Sequence, residues 1–125
     1  MTIGRTNGDR RVIGSLVGFH LATQSPADGV IEISAAGELD LATSAMLREA
    51  VDVCCERDGL RVVIVDMRDL TFVDSTGLRA LWHARERAQA AGAELVLRSP
   101  SESVKHLLKI TKLERVFAVV DSQDS

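Results

Sequence analysis

The stretch Asp66-Met67-Arg68-Asp69-Leu70-Thr71-Phe72-Val73-Asp74-Ser75-Thr76-Gly77-Leu78 gathers three carboxylates and a serine, the side chains of this sequence best placed to do chemistry together. Ser75 falls where the chain is expected to enter a helix, in N-cap position. A hydroxyl there accepts a hydrogen bond from a free amide of the first turn and contributes about 1 kcal/mol. The same place suits an added phosphate, because the unpaired amides and the helix dipole favour an anion. Such a group would bring about −1.5 to −2 charges and three acceptor oxygens. Asp74 beside it, and Asp40 across the loop, would add to the negative charge. Capping and phosphate acceptance are compatible, and both stand open on these residues.

Two enzymatic or phosphoryl-carrying alternatives fit less well. A serine hydrolase of the α/β type sets its nucleophile in G-x-S-x-G and needs a base. Here Val73 and Asp74 precede Ser75, and His20, His83 and His106 are expected on an edge strand and two helices with no evident convergence. A phosphoaspartate receiver is suggested by Asp66, Asp69 and Asp74. It would also need an acidic pair after the first strand and a matching Lys near the last, which this chain does not offer. Asp66 and Asp69 read better as turn and capping residues.

The elements around Ser75 follow from apolar spacing. Residues 76–91 read as a helix stopped by Gly92, with Gly77, Ala80, Leu81, Ala84, Ala88 and Ala91 along one side. Small residues there would let the helix lie close to a sheet. Arg79, Trp82 and Glu86 fall on the other side, in line with Ser75. Trp82, the only Trp, would either pack against a neighbouring helix or face a partner, since Trp and Arg are enriched at binding hot spots. Upstream, Ser15 to Gln24 is expected as an edge strand, Ser25 to Gly29 as a turn and Val30 to Ala35 as the returning strand of a hairpin. Gly37-Glu38-Leu39-Asp40 ends that strand, and the spacing of Leu41, Met46, Leu47, Ala50, Val51 and Cys54 predicts a helix over 41–57. Val62 to Val65 is a β-branched run of the kind buried on both faces, followed by an expected loop from Asp66 to Asp74. Leu95 to Leu97, a helix opened by Ser101, and a strand over Val116 to Val120 complete the order. Strands alternating with helices imply an α/β fold with a mostly parallel central sheet, an N-terminal antiparallel hairpin and flanking helices. Sites in such sheets form where strands end and helices begin, and residues 37–40 and 66–77 both fall on that edge.

Composition narrows the function. The 125 residues fit one domain, with residues 1–14 expected as a flexible extension and 121–125 as a tail. Hydrophobic residues make up 46% and aromatics only 3%, so the core must be aliphatic. Few stacking rings and a net charge of −3 argue against direct nucleic-acid binding. Cys54 and Cys55 are adjacent, which opposes a disulfide between them, and no Cys or His set completes a zinc site. No apolar stretch approaches a signal peptide or a membrane span. A reduced, cytoplasmic, membrane-free protein is the expectation.

Phe72-Val73-Asp74-Ser75-Thr76-Gly77-Leu78 resembles the phosphorylation-site motif of STAS domains, specifically of bacterial anti-sigma factor antagonists. Gly37-Glu38-Leu39-Asp40 resembles the family's first loop motif. Gly92-Ala93-Glu94-Leu95-Val96-Leu97, Ser99-Pro100-Ser101-Glu102-Ser103-Val104 and Leu113-Glu114-Arg115-Val116-Phe117 resemble its later landmarks in the right order. The likeness covers about Leu16 to Val120, and it implies a single STAS domain over 15–120. Thr111-Lys112 departs from it, standing where the family often has Gly. The resemblance implies a non-enzymatic antagonist that holds an anti-sigma factor serine kinase when unphosphorylated and releases it once Ser75 is phosphorylated, so regulating sigma-factor-dependent transcription. It implies a metal-dependent serine phosphatase that resets the switch, and no cofactor of the chain's own, ATP and magnesium belonging to the kinase. By position, the partner-binding surface would comprise Glu38, Asp40, Asp74, Ser75, Thr76 and Gly77, with Arg79 and Trp82 added from the helix face. The alternative within the same fold is a STAS-type subunit of a lipid-transport or stressosome-like assembly.

Overall fold

The β-branched run at Val62 opens a strand that continues well past it. In the computed structural model, which describes residues 11–121, the chain forms β1 (Arg11–Leu16), β2 (Phe19–Ala27), β3 (Val30–Leu39), α1 (Ser44–Cys54), β4 (Val62–Val73), α2 (Ser75–Ala90), β5 (Glu94–Arg98), α3 (Glu102–Ile110) and β6 (Ala118–Val120). The six strands make one sheet in chain order. β1, β2 and β3 pair antiparallel, and β3 through β6 pair parallel. The expected α/β architecture with its antiparallel opening is therefore present.

Several elements differ from the expectation, among them the turn after β2, confined to Asp28 and Gly29, and the last strand, which begins at Ala118 rather than Val116. The single edge strand over 15–24 is two strands, because a turn at Val17 and Gly18 divides it; Gly18 takes φ 80, which an L side chain would resist. β1 thus draws residues 11–14 out of the expected extension 1–14. Residues 1–10 of that extension and 122–125 of the expected tail lie outside the described residues. The expected loop from Asp66 to Asp74 is instead, as far as Val73, the second half of β4, paired with β3 up to Leu39↔Val73 across register shifts at Ser34/Ala36 and Gly37/Glu38. Finally, α1 starts at Ser44 rather than near Leu41. At the turn after α3, Lys112 takes φ 63, the region where glycine is favoured.

Alternate residues of the parallel strands fill the core: Ile31, Ile33 and Ala35 from β3, Val63, Val65 and Met67 from β4, Leu95 and Leu97 from β5. α1 meets this layer with Leu47, Ala50, Val51 and Cys54, and α2 with Leu78, Leu81, Ala84 and Ala88. The intervening residues face the other side of the sheet. There the Arg98 guanidinium of β5 donates to Asp66 of β4 at 2.9 Å and to Glu32 of β3, whose second oxygen accepts from Gln24 of β2 at 3.0 Å. One cation so ties three strands together. Burial works against the Arg98 charge, but the hydrogen bonds it donates to Asp66 and Glu32, with their negative charges, outweigh it and raise its pKa.

Two outcomes follow from this packing. Arg98→Met leaves Glu32 and Asp66 facing each other without a cation and should cost about 3 kcal/mol in urea unfolding. Cys54 is 7% exposed, and burial, reinforced by Cys55, pushes its thiol from 9.0 up to about 11. Its folded pKa lies above the unfolded one, so its contribution is intact below pH 9 and fades as pH rises toward 11. A Cys54→Ala variant should show a flatter stability profile across that window by thermal melts.

Candidate functional site

Leu39, fully buried at the end of β3, is the residue on which the site is built. Its carbonyl accepts the Asp74 amide at 3.2 Å. A Cβ added at Gly77 would run into that same carbonyl oxygen and come within 2.9 Å of Leu39 Cγ. Only glycine lets the first turn of α2 lie this close to the strand end. The expected close approach at Gly77 is thus a contact with the chain's own β3.

Asp74, not Ser75, caps α2. With its amide held by Leu39, Asp74 keeps an extended backbone (φ −99, ψ −173), and its Oδ1 accepts the Gly77 amide at 2.8 Å. The expected N-cap role of Ser75 is therefore filled by its neighbour, and Ser75 becomes the first residue of the helix. It is exposed, and its hydroxyl has no hydrogen-bond partner among the described residues. A hydroxyl released from capping is available to a second molecule. Thr76, next in the chain, is half-buried.

Asp40 closes the other half of the site. Its Oδ1 accepts the amides of Ala42 at 3.0 Å and Thr43 at 3.2 Å. The buried Thr43 hydroxyl accepts the Asp40 amide at 3.0 Å and donates to the Glu38 carbonyl at 2.8 Å. The carboxylate is consumed in shaping a turn, which is why α1 begins only at Ser44. Glu38 is exposed and in register with Phe72. Arg79 is exposed one turn along α2 from Ser75. Trp82, two turns along, is half-buried against the core with the Arg85 guanidinium 5.7 Å from its ring centroid. Its geometry is that of the packing alternative.

Glu38, Asp40, Asp74, Ser75, Thr76 and Gly77 are thus brought to one end of the sheet, with Arg79 nearby and Trp82 about 10 Å further along the helix. Two large apolar residues of this region, neither among the expected binding residues, are exposed: Leu41 at 78% and Phe72 at 48%. Leu41 matched the apolar spacing of α1, so its placement outside the helix had no signal except Asp40 ahead of it and Thr43 behind. Among the described residues, no group of three or more His, Cys, Asp or Glu is placed to hold a metal ion. His20 shares a 2.8 Å hydrogen bond with Ser15, and His83 and His106 are exposed; none partners Ser75.

A family model for the STAS domain matches residues 24–125. The anti-sigma-B factor antagonist of Listeria monocytogenes is 32% identical over 89 residues, which cover 71% of this chain and 77% of the relative. An anti-sigma factor antagonist from Mycobacterium paratuberculosis has the same fold, with a TM-score of 0.67 at 23% identity over 86% of this chain and 90% of that one. The phosphorylated form of the Bacillus cell fate determinant SpoIIAA superposes with a TM-score of 0.67 at 17% identity, over 83% of this chain and 92% of the other.

The junction at Leu39 can be tested by itself. Gly77→Ala should cost about 1–3 kcal/mol, because backbone must shift to admit the methyl group. Asp74→Ala should cost about 1 kcal/mol through the lost cap. Ser75→Ala should leave the urea midpoint unchanged, since its hydroxyl bonds to nothing within the described fold.

Proposed function

We propose, from the premise that the chain belongs to the STAS domain family, that it acts as an anti-sigma factor antagonist switched at Ser75. Unphosphorylated, it binds an anti-sigma factor serine kinase and so frees a sigma factor for transcription. The kinase supplies ATP and magnesium. The γ-phosphoryl group passes to Ser75 Oγ as its bond to ADP breaks and the hydroxyl proton is lost. A metal-dependent serine phosphatase restores the hydroxyl by hydrolysis. The chain itself is a binding protein with no cofactor, working in the cytoplasm beside its partners; no described helix is long and apolar enough to cross a membrane.

One observation carries this reading: an exposed serine hydroxyl, free of internal bonds, on the first residue of a helix whose capping duty belongs to Asp74. Phosphate can be added there without breaking any described hydrogen bond. Closing a protein interface over that dianion, with Asp74 adjacent, should cost several kcal/mol where no cation answers it. At 1.4 kcal/mol per tenfold, a loss of binding of about a thousandfold is the scale expected.

The test is incubation with each anti-sigma factor kinase of the host and ATP, followed by mass spectrometry of the modified peptide. A single phosphate on Ser75 is expected. Ser75→Ala should bind the kinase whether or not ATP has been supplied, and Ser75→Asp should bind poorly. Equal binding by both variants would place the switch elsewhere.

A further inference from the structure

Resting on that reading, we infer that Leu41 is the apolar anchor that the kinase grips beside Ser75, and that Asp40 is a positioning residue which presents it. Leu41 is 78% exposed although its spacing belongs to the core face of a helix. The cause is local. Asp40 Oδ1 takes the amides of Ala42 and Thr43, so the chain turns before α1 can start. Leu41 lies inside that turn. The Thr43 hydroxyl braces it from beneath by linking the Asp40 amide to the Glu38 carbonyl.

The turn is fixed in turn to the phosphorylation site. Leu39, two residues before Leu41, receives the amide of Asp74, the residue before Ser75. Phe72, 48% exposed, stands in β4 opposite Glu38. Leu41 is therefore held, through Leu39, to the strand end from which the segment bearing Ser75 departs, and Phe72 lies on β4 three residues before the serine. A kinase that delivers phosphate to Ser75 must cover these neighbours as it docks, so its surface there is apolar. The occupant is the kinase domain itself, because the apolar flank is continuous with the hydroxyl that the kinase must reach. Rigid presentation lowers the entropy lost on binding. It also assigns Asp40 differently from a direct charge contact: with Oδ1 held by two amides, its role is carried by an acceptor oxygen rather than by a negative charge.

The distinction is testable because Asn retains that acceptor and loses the charge. Purified full chain and the kinase that phosphorylates Ser75 are titrated without ATP, and Kd is read by calorimetry. Leu41→Ala should weaken binding about ten- to a hundredfold, the scale for losing the burial of one leucine side chain, with no fall in Tm. Asp40→Asn should bind within about threefold of the original chain, whereas Asp40→Ala should bind at least tenfold more weakly, so that the amide variant rescues the alanine one. Ser75→Asp serves as the control for the switch. If the original chain binds and Ser75→Asp does not, yet Leu41→Ala binds normally, the anchor is wrong while the switch stands. If Asp40→Asn binds as poorly as Asp40→Ala, the charge is the contact and the positioning role is overturned. If the original chain binds no kinase of the host, both this inference and the proposed function fall together.

Discussion

The carbonyl oxygen of Leu39 receives the amide of Asp74 and lies against Gly77, so the end of β3 and the start of α2 cannot separate without leaving a buried polar group unpaired. A hydrogen bond of this kind contributes only about 0.5–1.5 kcal/mol net, but leaving its acceptor buried and unmet costs about 1–3. Its importance lies in geometry. It sets the direction in which α2 departs from the sheet, keeps Asp74 extended and thereby makes Asp74 rather than Ser75 the cap. Every distinctive property of Ser75 follows from that displacement by one residue.

Parallel pairing supplies the frame. β3 and β4 end together at Leu39↔Val73, and the two chain segments that leave them carry Asp40 and Ser75. In an open sheet of parallel strands, this end is where loops can diverge and still be held by the strands beneath. The opposite face is secured by Arg98 between Asp66 and Glu32, far from the helices that bury the aliphatic core. Asp74 and Gly77 belong to both the packing and the site, whereas the Ser75 hydroxyl belongs to the surface alone. A surface built on the ends of buried strands can change its charge while the layer below remains as it was.

Much of this was legible in the amino-acid order, for identifiable reasons. Val62 to Val65 and Leu95 to Leu97 are unbroken aliphatic runs, and the alanine side of α2 has a helical period, so the crossovers could be placed. The division of residues 15–24 was missed because Val17-Gly18 is a weak turn signal amid other polar breaks, and Gly18 acts only through a positive φ. The second half of β4 reads as a loop because the alternation stops at Met67: the next buried residues, Leu70 and Val73, fall three apart, with Asp and Arg residues among those between. The choice between Asp74 and Ser75 as cap could not be made locally, both being strong capping residues; a contact from β3, 35 residues earlier in the chain, decides it. Leu41 fitted the helical period by type and spacing, and a hydrogen-bonded turn overruled that fit.

The switch proposed at Ser75 needs no second conformation of the domain. A modification shifts an equilibrium only by its difference in free energy between the two states compared. In the free domain, phosphate on Ser75 meets the positive end of α2, favourable by about 0.3–1 kcal/mol, and the Asp74 carboxylate, unfavourable by a similar screened amount. No described internal hydrogen bond is lost, because the hydroxyl makes none. These terms nearly cancel, so the fold scarcely registers the change. In the bound state, water is excluded from the same group and neither screening nor hydration remains to offset its charge. The whole difference therefore falls on association. Had Ser75 been the cap, phosphorylation would have replaced a structural hydrogen bond and divided its effect between folding and binding. With Asp74 in that role, phosphate on Ser75 would act on association alone.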